Sequence, residues 1–251
     1  MSLKSVKRVV QRGRNAARRI RHGLALHAEN VSPEVPNDLF QAHLSIYWFF
    51  ARFVQGKRVL DVGSGTGYGT AHLRQAGAAE ALGVDRDPRS VAYAASHYTL
   101  PGLRFLVADA QELPPDLGSF DVIVSSNVFE HLDDPARALG QLRRHLKAGG
   151  TFVLVVPPIV DEASLAANRR NAFHRSNLFV WQWAALLKQF FGQVRAFRHI
   201  PPANPLPDFS DPFPSALSPA DFEFCEVPVA ELGAVFTLGA VFVGSEDSEH
   251  T

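Results

Sequence analysis

The chain is short of several things, and each shortage excludes something. Its 251 residues hold one cysteine, Cys225, so no disulfide can form within the chain. No apolar run approaches the roughly 20 residues that a bilayer-spanning helix needs, which points to a soluble, cytoplasmic protein. Residues 1–22 contain no acid but eight basic side chains, from Lys4 to Arg21. The net charge of zero therefore leaves the rest of the chain with 17 basic against 25 acidic residues. A main body this acidic disfavours a broad nucleic-acid surface, and no nucleic-acid partner is expected.

The basic start carries Val6, Val10, Gly13, Ala17, Ile20 and Leu24 at spacings of three and four. Residues 1–30 are expected as a basic amino-terminal extension. Residues 1–22 could lie on a membrane surface or a protein partner, or form a frayed, solvated helix. An Arg-rich, acid-free start also matches an organelle transit peptide, although no clear cleavage signal follows.

Beyond a Pro-containing linker, Asn37 or Asp38 can cap an apolar helix ending near Gln55 and Gly56. Short β-branched runs then alternate with helical patterns. The runs are "RVLDV", "EALGV", "LRFLVA", "FDVIVSS" and "TFVLVVP". Between them, Asp87-Pro88 and Asp134-Pro135 each read as a cap followed by a first-turn proline. Strands apolar on both faces and separated by helices predict a parallel sheet covered on both sides. One domain is expected over 37–245. A Pro- and Phe-rich insert at about 201–228 carries eight of the 17 prolines, and 246–251 reads as a disordered tail.

The stretch "VLDVGSGTGYGT", Val59 to Thr70, puts four glycines after the first strand. A phosphate-binding P-loop needs Gly-Lys, and no lysine lies between Arg58 and Lys147. A dinucleotide fingerprint needs glycines at positions one, three and six. Counting from Gly63 reaches Tyr68, and counting from Gly65 reaches Thr70, so neither register fits. Asp85 closes the second strand 24 residues after Asp61, where a carboxylate can accept both hydroxyls of a ribose. That position implies a nucleoside without saying which.

With Asp61, Gly63, Gly65 and Gly67 in the pattern acid-x-Gly-x-Gly-x-Gly, the chain resembles the class I S-adenosylmethionine-dependent methyltransferases. The strand-four motif "FDVIVSSNVFEHL" and the later "LRRHLKAGGTFVLVVP" extend the likeness, which runs in order from about Val59 to Pro157. The resemblance implies S-adenosylmethionine as cofactor and a Rossmann-like, doubly wound, seven-stranded α/β sheet, mostly parallel with an antiparallel last strand. It also implies a cofactor site made of Asp61, Gly63, Ser64, Gly65, Gly67, Asp85, Arg86, Asp109, Ala110 and Asn127. In that site the loop holds the aminoacyl end and Asp85 the ribose. Asp109 would meet the adenine amino group, the Ala110 amide a ring nitrogen, and Arg86 the adenine face.

Methyl transfer is an in-line displacement from an activated donor, so the protein must mainly align the acceptor. Alignment is worth roughly 7 kcal/mol or more, and a general base adds about 10²- to 10⁴-fold. Two histidines are candidates for that base. His131 sits in "FEHL" after strand four, and His174 in "RRNAFHRSN" after strand five, which resembles the "NPFH" segment of methyltransferases of sugar and glycoconjugate modification. Each could instead be a structural histidine.

Ubiquinone-type relatives carry Glu-x-x-Glu-His at strand four and can use a metal. Here Asn127 replaces the first Glu and leaves Glu130 and His131, so a metal stays open as an alternative and is not favoured. Motifs for amino methylation of adenine or cytosine are missing, and Cys225 lies far from the usual nucleophile positions for pyrimidine carbon methylation. The expected acceptor is therefore a small-molecule or sugar hydroxyl. A quinone-like or lipid-linked acceptor, an amino sugar and a non-catalytic scaffold are the alternatives. Tyr47, Trp48, Phe49 and Phe50 are expected mainly as core, and Phe209, Phe213, Phe222 and Phe224 as a further wall of the pocket.

Overall fold

The computed structural model describes residues 31, 33, 34, 36–211 and 213–246. The basic extension expected at 1–30 and residues 247–251 lie outside them. The described elements begin with helix α1 (Asp38–Phe50), strand β1 (Arg58–Val62), α2 (Tyr68–Gln75), β2 (Glu80–Asp85) and α3 (Pro88–His97). They continue with β3 (Leu103–Val107), β4 (Phe120–Ser126), α4 (Pro135–His145), β5 (Leu146–Val156), α5 (Glu162–Asn168) and α6 (Val180–Leu187). The last are β6 (Gln193–Ile200), β7 (Glu223–Val227) and β8 (Gly239–Ser245). No described helix is long and apolar enough to cross a membrane.

The strands form one sheet in the order β3-β2-β1-β4-β5-β8-β6-β7. The first five run parallel, and β8 enters antiparallel between β5 and β6. The doubly wound α/β expectation is met, with eight strands in place of seven. The added strand is β7, from the segment read as an insert, and it pairs antiparallel with β6 at the sheet edge. It is short, largely exposed and preceded by many prolines, so its local pattern was masked.

Alternation along each strand builds two cores. Leu60, Val62, Ile123 and Leu154 pack on one face with Leu139 and Leu142 of α4 and Trp183 of α6. Val59, Val122, Val124 and Val153 pack on the other with Ile46, Phe49 and Phe50 of α1 and Leu73 of α2. The helix starts follow from their caps. Asn37 Oδ1 accepts from the Phe40 amide, Asp87 from Arg89 and Asp134 from Arg137, at 3.0, 3.2 and 2.9 Å.

The Pro- and Phe-rich segment corrects one expectation. None of Phe209, Phe213, Phe222 or Phe224 lines the cleft described below. Phe222 packs with Ala42 of α1 and Leu217. Phe224 stacks on Phe49 of α1 at 4.6 Å between ring centroids, and on His199 at 4.7 Å. The same segment holds the start of α1: Asp208 donates its amide to Asp38 Oδ2 at 2.7 Å, and Asn37 Nδ2 donates to the Asp211 carbonyl at 3.1 Å. It braces a helix that forms part of the cleft wall. At the far end, Glu246, expected in the tail, accepts the Gly149 amide at 2.9 Å and pairs with Arg143.

Candidate active site

Strand order reverses between β1 and β4, and a cleft of about 330 Å³ opens at their carboxyl ends, where ligands bind in sheets of this kind. Of the expected cofactor residues, Gly63, Ser64, Gly65, Asp85, Arg86, Asp109, Ala110 and Asn127 line it. His131 and His174 line it too. Asp61 and Gly67 do not.

Asp85 is set by the backbone on both sides. Gly65 donates its amide to Oδ2 and Asp87 its amide to Oδ1, each at 2.9 Å. A carboxylate oxygen has lone pairs beyond one such bond, so Asp85 keeps acceptor capacity for a vicinal diol. Asn127 follows β4 at φ 52, the left-handed region that non-glycine residues avoid, and its amide bonds the Val155 carbonyl at 2.9 Å. Ser64 Oγ is buried in the cleft wall with no hydrogen-bond partner among the described residues. A loop of glycines, an oriented carboxylate, an orphaned hydroxyl and no lysine fit a nucleoside whose other end is an amino acid rather than a phosphate.

Asp61 lies behind the wall. It is fully buried, accepting from Thr70 Oγ1 at 2.6 Å and from the Tyr47 hydroxyl at 3.4 Å. Burial pushes its pKa from 3.8 up to about 7, against the pull of those two hydrogen bonds. Burial and the neighbouring Asp61 raise the Tyr47 hydroxyl well above its ordinary value. Tyr47 therefore belongs to the core and the cleft at once, whereas Trp48 faces solvent.

Three of the four loop glycines answer to the protein's own packing. A Cβ at Gly63 would lie 2.1 Å from Val128, at Gly67 2.5 Å from Ala94, and at Gly69 2.0 Å from the Tyr47 ring. Gly67 also caps α2 at φ 83. The dense glycines thus seat the loop against the turn after β4, α3 and α1, and the Gly65 amide reaches Asp85.

The two histidines meet edge to face, ring centroids 5.0 Å apart. His131 Nδ1 lies 3.1 Å from the Phe173 carbonyl, so in the neutral ring Nδ1 carries the proton and Nε2 the lone pair. His174 Nδ1 lies 2.7 Å from Asn168 Oδ1. Asn168 Nδ2 donates to Asn177 Oδ1 at 2.9 Å, and Asn177 Nδ2 returns to the His174 carbonyl at 3.0 Å. That ring of amides fixes Asn168 Oδ1 as the acceptor and His174 in the same tautomer as His131. Glu130, buried at the cleft, has its carbonyl held by the Arg175 and Ser176 amides at 2.7 and 2.9 Å. Glu130, His131 and His174 offer ligand atoms within 4.8 Å of one another, a donor set that suits a divalent cation.

Several cleft residues escaped the sequence reading, and two of them carry polar side chains on the helices that border the loop. Tyr68 opens α2, and His43 stands one turn before Tyr47 on α1. The signal for His43 was a lone imidazole in a mostly apolar helix, four residues from a tyrosine.

Residues 60–154 match the family model described as a methyltransferase domain. A probable S-adenosylmethionine-dependent methyltransferase of Mycobacterium tuberculosis is 31% identical over 166 residues, 65% of this chain and 60% of the relative. The demethylmenaquinone methyltransferase of Thermus thermophilus is 34% identical over 148 residues, 58% of this chain and 64% of the relative. The matches thus span less than two thirds of these relatives' own length. In a solved complex of the Haloferax volcanii Trm112 methyltransferase activator with a methyltransferase, one chain superposes with a TM-score of 0.62 at 23% identity. The match covers 85% of this chain and 92% of that one. Fold and cleft define a nucleoside-binding, Rossmann-like α/β domain. More narrowly, residues 60–154 match a methyltransferase domain, and the chain is similar to S-adenosylmethionine-dependent methyltransferases, with S-adenosylmethionine as the cofactor.

Proposed function

We propose that the whole chain is a cytoplasmic enzyme that moves a methyl group from S-adenosylmethionine to a hydroxyl of a small molecule or sugar. The observation that carries this is one cleft holding Asp85 at one part of its wall and the tautomer-fixed pair His131 and His174 at another. The cofactor, when bound, supplies an activated methyl on a sulfonium.

The chain's residues then have distinct tasks. Asp85 accepts the ribose hydroxyls, Asp109 and Ala110 meet the adenine, and Gly63, Ser64 and Gly65 border the methionine part. Asn127 lines the cleft just after β4, its amide held on the Val155 carbonyl of β5. His131 or His174 takes the acceptor's hydroxyl proton on Nε2, giving the alkoxide or phenoxide character that attack on a methyl group needs. The positive imidazolium that results is stabilised through its Nδ1–H bond to a carbonyl oxygen.

A second reading has a specific support. The demethylmenaquinone methyltransferase is 34% identical over 148 residues, which favours a quinone-like, lipid-soluble acceptor that residues 1–22 could help the enzyme approach at a membrane surface. Intact-mass screening separates the readings. Purified chain with S-adenosylmethionine should add 14 Da, roughly one methyl, to a phenol or sugar hydroxyl. Methylation of quinol carbon alone supports the second reading, and cofactor binding without turnover on any acceptor supports a scaffold.

A further inference from the structure

His43 is not among the residues that the motifs of this domain assign, and it stands apart from the base pair just described. It lines the cleft from α1, one helical turn from Tyr47, so both side chains project from the same face of the helix. His131 and His174 spend Nδ1 on protein acceptors. Among the described residues His43 makes no hydrogen bond that spends either ring nitrogen. We propose that His43 contacts the acceptor and reads one of its neutral ring hydroxyls. This rests on the hydroxyl-acceptor reading above.

Three observations support it. First, burial lowers the His43 pKa to about 4, so the ring is neutral at physiological pH and offers one donor and one acceptor. That pair complements a hydroxyl, which also donates and accepts. It gives a carboxylate or phosphate no charge to meet. Second, the cleft that His43 lines also carries aromatic and apolar side chains, among them Tyr47, Tyr68, Leu132, Pro157 and Phe173, which suit the faces of an aryl or sugar ring.

Third, the backbone carrying His43 is braced as a recognition element must be. Two residues along α1, Ser45 Oγ bonds His199 Nε2 at 2.9 Å inside the protein, and Ser45 also donates to the Ala42 carbonyl at 2.7 Å. His199 in turn lies between Phe222 and Phe224, its ring parallel to Phe224 at 4.7 Å. The helix start is tied down by Asp208 and Asp211. The Pro- and Phe-rich segment thus acts on the acceptor through α1 without entering the cleft, which gives a physical role to a segment the motifs leave unexplained.

The test uses the full chain loaded with S-adenosylhomocysteine and labelled at histidine Cε1. Catechol and a methyl glucoside serve as neutral hydroxyl probes, and benzoate as the anionic control. The proposal expects the His43 resonance, assigned by its loss in His43→Gln, to shift saturably with a hydroxyl probe and to ignore benzoate. His43→Phe should weaken that probe roughly tenfold, the loss of one or two hydrogen bonds, and His43→Gln should recover part of it. S-adenosylhomocysteine affinity should stay within about twofold in both variants, which also certifies that they fold. The proposal is overturned if no hydroxyl probe moves the resonance, if benzoate moves it instead, or if His43→Phe binds the probe as the parent does. Failure of the methyltransferase reading is distinguishable, because the parent would then not bind S-adenosylhomocysteine at all.

Discussion

The backbone N–H of Gly65 donates to Asp85 Oδ2 at 2.9 Å, so the glycine loop after β1 and the acid that ends β2 form one unit. The loop's shape is thereby tied to the carboxylate that would hold the ribose, and a change at either is felt at both.

Asp85→Asn tests that unit. It replaces a charged acceptor by an amide whose second half can only donate, so one backbone bond and the diol contact both suffer. S-adenosylhomocysteine affinity should fall at least tenfold by calorimetry, and hydrogen exchange at the Gly65 amide should quicken. Unchanged exchange with lost binding would separate the two roles.

The pH dependence follows from Asp61. Its pKa stands near 7 in the folded chain against 3.8 ordinarily, so between those values the folded state holds more protons than the unfolded one. The ligand-free stability contributed by Asp61 is therefore greatest below about pH 4 and falls as pH rises toward 7. Asp61 does not line the cleft, but a cationic ammonium bound there would favour its ionised form through space, so S-adenosylhomocysteine binding should release a proton and strengthen as pH rises through about 7. Asp61→Asn should flatten both profiles, measured by thermal melts and by calorimetry in two buffers of different ionisation enthalpy.

Gly69→Ala tests whether the fourth glycine serves Tyr47. Its new methyl would sit 2.0 Å from the Tyr47 ring, and relief requires moving α1 or α2. A loss of roughly 1–3 kcal/mol is expected in denaturant melts. Adding Tyr47→Ala should recover much of it, a non-additivity that a merely poor helix start would not show.

The histidine pair should separate chemistry from binding. His131→Ala and His174→Ala should leave S-adenosylhomocysteine affinity near that of the parent. The variant lacking the base should lose about 10²- to 10⁴-fold in kcat on a hydroxyl acceptor. His174→Ala frees the Asn168–Asn177 ring, so Asn168→Ala should reproduce a part of its effect through orientation alone.

What could be read from the chain was what local physics decides. The caps at Asn37, Asp87 and Asp134 bond amides two or three residues away, so their residue types sufficed. Parallel strands buried on both faces announced themselves as apolar runs, and Asp85 and Asp109 were placed by following them. Long-range packing was not legible. Nothing in the spacing says that Gly63, Gly67 and Gly69 yield to Val128, Ala94 and Tyr47, since a glycine vacated for a ligand and one vacated for a neighbour look alike. That Asp61 would be buried on the hydroxyls of Tyr47 and Thr70 rather than line the cleft was not legible for the same reason. That Phe222 and Phe224 turn to α1, and that Asp208 holds Asp38 from 170 residues away, is invisible to periodicity.

The central claim is that this cleft takes a nucleoside ending in an amino acid and not a dinucleotide. Calorimetric titration of the full chain with S-adenosylhomocysteine and, separately, with NAD tests it most directly. The account predicts saturable, micromolar heat with S-adenosylhomocysteine, abolished in Asp85→Ala, and none with NAD. Binding of NAD with no response to S-adenosylhomocysteine would contradict it.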